Sequence, residues 1–194
     1  MVKLNKIYTR TGDDGTSGLV DGSRRPKGDA RFAAIGAVDE ANCALGLLAV
    51  ALESSPHRDA VIRLQNDLFD LGADLATPLG EVGGEDFTPS AMVLRVVPAQ
   101  VEWIESSLDA LNEALEPLTS FVLPGGSEAA ARAHVARAAV RRAERDMAIL
   151  AASEPVNPAA LGFINRLSDW LFVLARVLND NGASDVKWIP GENR

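Results

Sequence analysis

Apolar side chains recur at helical intervals over most of this chain. From Ala30 onward Phe32, Ile35, Val38, Leu45, Leu48 and Leu52 share one face, which predicts a first helix to about Glu53. Val61, Leu64, Leu68, Leu71 and Leu75 mark a second, stopped by Thr77-Pro78. Gly80 to Pro89, rich in glycine and acidic residues, reads as a surface loop. A third helix, about Pro98 to Glu116, carries Val101, Ile104, Leu108, Leu111 and Leu115, with proline in its first turn, where a missing N–H costs nothing. Phe121-Val-Leu-Pro-Gly-Gly-Ser127 interrupts the pattern before a fourth, about Glu128 to Ala152. The fifth opens at Asn157-Pro158, an N-cap followed by proline, and runs to near Gly182.

Residues 1–29 have no such period and are punctuated by Gly12, Gly15, Gly18, Gly22 and Gly28, the mark of an ordered loop. No alternating strand pattern, internal repeat or linker stands out. The expectation is an all-α fold: a single-domain five-helix bundle with an ordered N-terminal Gly/Thr-rich loop. Its parts are the loop (1–29), the bundle (30–182) and a C-terminal tail (183–194).

Composition narrows the function classes. At 194 residues the chain suits one domain, and 47% hydrophobic with 24% charged residues is a soluble, globular profile. A net charge of −8 disfavours general nucleic-acid binding. Basic residues are nevertheless concentrated: Arg24, Arg25, Lys27 and Arg31 in one stretch, Arg132, Arg137, Arg141, Arg142 and Arg145 in another. Cys43, the sole cysteine, has no internal disulfide partner and sits among small apolar residues, as an inert core thiol would. The N-terminus has no apolar run of signal-peptide length, and the longest strong apolar stretch, Trp170 to Ala175, is too short to span a bilayer. A cytoplasmic protein without a transit peptide is expected.

Chemistry has three candidate places. In Tyr8-Thr-Arg-Thr-Gly-Asp-Asp-Gly-Thr-Ser-Gly18 the glycines free backbone N–H groups to face an anion, Thr9, Thr11, Thr16 and Ser17 add hydroxyls, and Arg10 and Lys27 add charge. A Gly-rich surface turn has the same composition. On the fourth helix Ala136, Val140, Ala143, Met147 and Leu150 form a buried stripe, and about 100° away Arg137, Arg141 and Arg145 line up at i, i+4, i+8. Repulsion along that row calls for an anion, or for a solvated face balanced by carboxylates such as Glu144. On the fifth helix Asn165 and Asp169 share a polar face, while Ile164, Leu167, Leu171 and Leu174 face the core.

Together these segments resemble the PduO-type ATP:cob(I)alamin adenosyltransferases. The matching stretches are Ile7-Tyr-Thr-Arg-Thr-Gly-Asp-Asp-Gly15, Arg24-Arg-Pro-Lys27, Gly36-Ala-Val-Asp-Glu-Ala-Asn42 and Asp70-Leu-Gly-Ala-Asp-Leu-Ala-Thr-Pro78, then Phe121 to Ser127, Arg137 to Arg145 and Asn165 to Asp169, all in family order. The resemblance implies a homotrimer with active sites at subunit interfaces. It implies an ATP site of Thr9, Arg10, Thr11, Gly12, Ser17, Gly18 and Lys27, completed by Arg141, Arg142, Glu144, Arg145 and Asn165. It pairs Asp39 with Arg137 across the subunit boundary and puts Phe121 beneath the corrin ring. ATP, Mg²⁺ and a corrinoid follow as substrates and cofactor, and a reductase as a transient electron donor.

The chemistry so implied is attack by Co(I) on C5′ of ATP with loss of triphosphate, so the protein need not supply a nucleophile. Lys27 and Arg141 are the candidates to stabilise the leaving group. A helical binding module remains the alternative, although it leaves the Thr/Gly loop, Lys27 and Asn165 unexplained as a set. A ferritin-like metal site needs Glu-x-x-His pairs, and neither His57 nor His134 follows a glutamate at that spacing.

Overall fold

The computed structural model describes residues 8–194. Five helices carry the fold: α1 (Ala30–Ala51), α2 (Arg58–Leu75), α3 (Pro98–Asn112), α4 (Glu128–Ala151) and α5 (Pro158–Val177). Short polar side chains start three of them. Asp29 accepts from the Arg31 N–H, Ser127 from Ala130 and Asn157 from Ala159, each quenching a donor that the first turn leaves free. Two predicted ends move inward. α3 stops at Asn112, not near Glu116, and α5 at Val177, because the chain then turns through Asp180, Asn181 and Gly182, all at positive φ.

The bundle is organised around α1, which packs on α4 and α2; α5 joins α4 to α3. The predicted stripe of α4 is wholly inside: Ala136, Val140, Ala143, Met147 and Leu150 are each 0% exposed. Ile164, Leu167, Leu171 and Leu174 of α5 meet it in the same core with Phe163 and Trp170. Small residues on α4 let it approach α1 and α5 closely, and Trp170, Phe163 and the leucines fill the remaining space.

Three expectations need correction. Within the N-terminal loop Thr16–Gly18 (β1) pairs antiparallel with Arg24–Pro26 (β2), strands too short to leave an alternating signature. Residues 1–7 of the predicted loop lie outside the described residues. Cys43 is exposed rather than a core thiol, because apolar residues run round most of α1 and the core takes Ala41, Asn42, Ala44 and Leu45 instead. Trp170–Ala175 is not the stretch that comes nearest to a membrane span. α1 itself reaches a mean hydropathy of 1.5 over a sufficient length, yet it carries Arg31, Asp39 and Glu40 and lays its apolar side into the bundle core.

The Gly80–Pro89 loop is largely exposed, as predicted, but pinned at Gly83, whose carbonyl accepts from Arg95 Nη2 at 2.7 Å. Arg95 is fully buried and also bonds Asp74 Oδ1 at 2.8 Å, and Asp74 Oδ2 in turn accepts from Asn157 Nδ2 at 2.6 Å. This buried network, in which only Arg95 Nε lacks a partner, fixes the start of α5 against the end of α2.

Candidate active site

The Thr/Gly loop is built around its own side chains. Asp14 Oδ1 accepts from the backbone N–H and hydroxyl of Thr16, at 2.9 and 2.7 Å, and these bonds hold the exposed Asp14 carboxyl below its ordinary pKa. Thr9 and Thr11 hydroxyls meet at 2.9 Å. Arg10 is held at φ 62°, an uncommon conformation for a residue with a Cβ, and its guanidinium lies 5.6 Å from the Tyr8 ring. Arg24 reaches across to the Thr11 carbonyl (2.5 Å) and the Thr16 hydroxyl (2.6 Å), bracing the loop on the ribbon.

Lys27 follows β2 directly, and its backbone N–H donates to the Gly15 carbonyl at 2.9 Å. Its side chain comes back over Gly12, so close that a Cβ there would sit 3.2 Å from Nζ. A side chain at position 12 would press on that ammonium and, at the same 3.2 Å, on the Thr16 carbonyl. Seven expected ATP-side residues thus belong to one exposed loop and ribbon: Thr9, Arg10, Thr11, Gly12, Ser17, Gly18 and Lys27.

The helical residues form a second group. Glu144 on α4 accepts from Asn165 Nδ2 on α5 at 2.7 Å, and Arg166 Nη1 holds the other end of that amide at 2.5 Å. Arg145 leans on the Arg141 carbonyl at 3.2 Å, and both guanidinium-bearing residues are exposed. Arg142 differs: it is ion-paired with Glu40 on α1. Arg141 lies about 15 Å back along α4 from the helix end at Ala151. The ribbon is tied to that end through Arg25 and Glu154, joined at 2.5 Å. The loop group and the arginine group are not brought together by any hydrogen bond or ion pair among the described residues.

Phe121 and Arg137 do meet. With Leu118, Ser120, Val122 and Phe172 they line a surface cleft of about 400 Å³. Phe121 is 76% exposed, and its ring packs edge-on against Trp188, centroids 6.0 Å apart. The C-terminal tail holds this segment by pairing Val122 with Lys187 and by Trp188 N–H donating to the Phe121 carbonyl at 2.8 Å. Arg137 stands 6.0 Å from the Phe172 ring, and its Nε is buried without a hydrogen-bond partner. Burial first, and then the Arg141 charge, lower its pKa. Behind it, His134 is buried against Phe172 with neither ring nitrogen bonded, and burial followed by the Arg137 charge lowers its pKa.

Asp39 is elsewhere. It is exposed in a groove with Ile35, Gly36, Phe69 and Gly72, between α1 and α2, and no ion pair engages it among the described residues. Two residues escaped sequence reasoning: Phe172, which lines the cleft, and Trp188, which packs on Phe121. Phe172 was visible as an aromatic on the face of Asn165 and Asp169, off the core stripe. Trp188 gave no signal, since its role depends on a contact with position 121.

The match to known families settles which fold this is. The family model described as cobalamin adenosyltransferase matches residues 7–178. The chain belongs to the cobalamin adenosyltransferase family. A corrinoid adenosyltransferase of Mycobacterium tuberculosis is 48% identical over 100% of this chain and 97% of its own length. A cobalamin adenosyltransferase of Cupriavidus metallidurans is 47% identical, over 96% and 95% respectively. Among solved structures, a phenylalanine-to-alanine variant of the PduO-type ATP:corrinoid adenosyltransferase of Lactobacillus reuteri, complexed with cobalamin and ATP, superposes with a TM-score of 0.84. That match has 33% identity and covers 94% of this chain and 99% of the other. Family membership makes this chain a transferase, and the all-α bundle predicted from periodicity is the family's fold.

As to a metal, the described residues contain no group of three or more His, Cys, Asp or Glu able to hold an ion. The Thr/Gly loop offers hydroxyls and cations beside Asp13 and Asp14, a donor set that fits phosphate better than a protein-held Mg²⁺ cage.

Proposed function

We propose that this protein transfers the 5′-deoxyadenosyl group of ATP to the Co(I) centre of a corrinoid, releasing triphosphate and forming adenosylcobalamin. The cobalt electron pair forms the Co–C5′ bond as the C5′–O bond breaks and its electrons leave on triphosphate; cobalt rises formally from I to III. The observation that carries this reading is the Lys27 ammonium folded back over Gly12 inside a hydroxyl-lined loop. The relatives named as corrinoid adenosyltransferases, and the Lactobacillus reuteri structure with cobalamin and ATP, supply the substrates.

The roles divide by chemistry. The loop residues Thr9, Arg10, Thr11, Gly12, Ser17, Gly18 and Lys27 bind the triphosphate through N–H, hydroxyl and ammonium donors. Arg141 meets the charge that grows on the leaving group with a planar pair of donors, and Arg142 and Arg145 enrich the positive field. Asn165 and Glu144, locked to one another, orient the nucleoside end. Mg²⁺ travels with the phosphates.

On the corrinoid side Phe121 and Phe172 give the cleft an apolar wall. A lower face kept free of water and of an axial base makes Co(II) easier to reduce, and in this reading Phe121 excludes both. A reductase supplies that electron.

The two phosphate-binding groups lie apart within one chain, which favours assembly of each site from two copies in a homotrimer. Arg137 then pairs with Asp39 of the partner subunit. Exposed Leu47, Val50 and Phe69 provide apolar surface for the contact. The exposed thiol of Cys43 suits a reducing cytoplasm.

The test is calorimetric titration with ATP, followed by Co(I) consumption and phosphate analysis. ATP binding and one triphosphate released per adenosylated corrinoid are expected. Absence of ATP binding, or release of any other phosphate product, overturns the proposal.

A further inference from the structure

Successive residues on β2 send their side chains to opposite faces of the ribbon. Arg24 turns towards the loop, on Thr11 and Thr16. Arg25, opposite Ser17 in the register, turns towards the bundle. There it forks onto Glu154, Nη1 to Oε1 at 2.5 Å and Nη2 to Oε2 at 3.2 Å.

Glu154 lies just past the end of α4, and its backbone N–H still donates to the Leu150 carbonyl at 2.9 Å, so it moves with that helix. Its Oε2 also accepts from Arg31 Nη2 at 2.8 Å. The Arg31 side chain is only 3% exposed and spends its Nη1 on the Leu75 carbonyl at 2.7 Å, the last residue of α2. One carboxylate therefore ties the ribbon to α1, α2 and α4 at once. Between Leu19 and α1 the only other tether of the ribbon to the bundle, among the described backbone bonds, is Val20 N–H to the Ala76 carbonyl at 3.0 Å.

We propose that Glu154 is a positioning residue for ATP: through Arg25 it fixes the ribbon that carries Ser17, Gly18 and Lys27 at one place on the bundle. It touches no phosphate itself. A flexible ribbon can still bind a nucleotide, but must be ordered when it does, and that cost appears as lost affinity. Bidentate geometry matters here because a fork sets both distance and direction, whereas a single contact sets only distance. The inference rests on the ATP reading above.

Three variants test it: Arg25→Ala, Glu154→Gln and the double. Arg25→Ala leaves the Glu154–Arg31 pair, and thus the helix junction, intact. Each single variant is expected to raise the KM for ATP roughly tenfold, with kcat and the corrinoid KM changed less than about twofold. The double variant should be no worse than Glu154→Gln alone, because the Arg25–Glu154 contact is already broken there. Amide exchange at Gly18, Leu19 and Lys27 should quicken in Arg25→Ala while α4 keeps its protection.

Faster ribbon exchange with an unchanged ATP KM overturns the inference, since the anchor would then be irrelevant to ATP. So does a parallel rise in both KM values with loss of α4 protection, the pattern of plain destabilisation. If the wild-type chain binds no ATP, the functional reading fails and takes this one with it. If the wild type binds ATP and the variants bind it equally well, only this inference fails.

Discussion

Asn165 on α5 gives a side-chain N–H to Glu144 on α4 at 2.7 Å, and so stitches the two helices together beside the arginine row. The bond joins two polar residues that the sequence placed on separate helices and the family resemblance placed in one site. In the proposed site the Asn165–Glu144 pair orients the nucleoside, so Asn165→Ala should lower kcat/KM for ATP about 10- to 100-fold. The melting temperature should barely move, because the pair is only half-buried. Steady-state kinetics beside a thermal melt decides; an unaltered kcat/KM removes Asn165 from the site.

Arg141 is exposed and engages no carboxylate among the described residues, as a side chain awaiting an anion would. Arg141→Ala should reduce turnover on the order of 10²–10³-fold, comparable to losing one oxyanion donor. Arg141→Lys should recover only part, since an ammonium lacks the planar fork. Wild-type-like turnover in the alanine variant would return this row to a solvated surface.

Phe121 shares its cleft with Arg137 and Phe172, and none of the residues lining it belongs to the Thr/Gly loop. Phe121→Ala should keep ATP affinity and should work far better with Co(I) supplied than with Co(II) to be reduced on the enzyme. An equal loss in the two assays means that Phe121 only packs against Trp188.

Asp39 and Arg137 line different grooves of one chain, and the proposed pair joins them across two copies. Each alanine variant should be nearly inactive, since removing one partner strands the other charge at a cost of about 3–5 kcal/mol where the site is dry. Mixing the two variants under conditions of subunit exchange should restore a fraction of wild-type activity. With exchange verified, a mixture no better than its components rules out the shared pair.

The Glu154 carboxyl is held below its ordinary value of 4.5 chiefly by the Arg25 hydrogen bond, helped by Arg31. Its stabilising contribution is therefore complete above that ordinary value and is lost as pH falls through the lowered folded value. Glu154→Gln should flatten the acid side of the stability profile below pH 4.5, read from denaturant midpoints at successive pH values. An unchanged profile would mean that Glu154 is not the titrating group.

Much of this was legible in residue spacing, for identifiable reasons. The α4 stripe could be read because an amphipathic helix has one solution: Ala136, Val140 and Met147 inside puts Arg141 outside. α1 defeated the same logic, since small and apolar residues on every side leave burial to be decided by neighbours, and Cys43 fell on the outer face. Three-residue strands fall below any periodic signal. The Asp74–Arg95–Asn157 group and the Phe121–Trp188 contact join positions far apart in sequence, which spacing alone does not encode.

The central place of α1 has a consequence for the chain's synthesis. α1 is complete at Ala51, but α4, its principal packing partner, is complete only at Ala151. A ribosome adding about 5–20 residues per second needs roughly 5–20 s to cover that distance. Throughout that interval the most apolar helix of the protein is outside, with α2 as its only cover. The nascent chain is thus prone to aggregate, and in need of a chaperone, until the helix that carries the arginine row has been made.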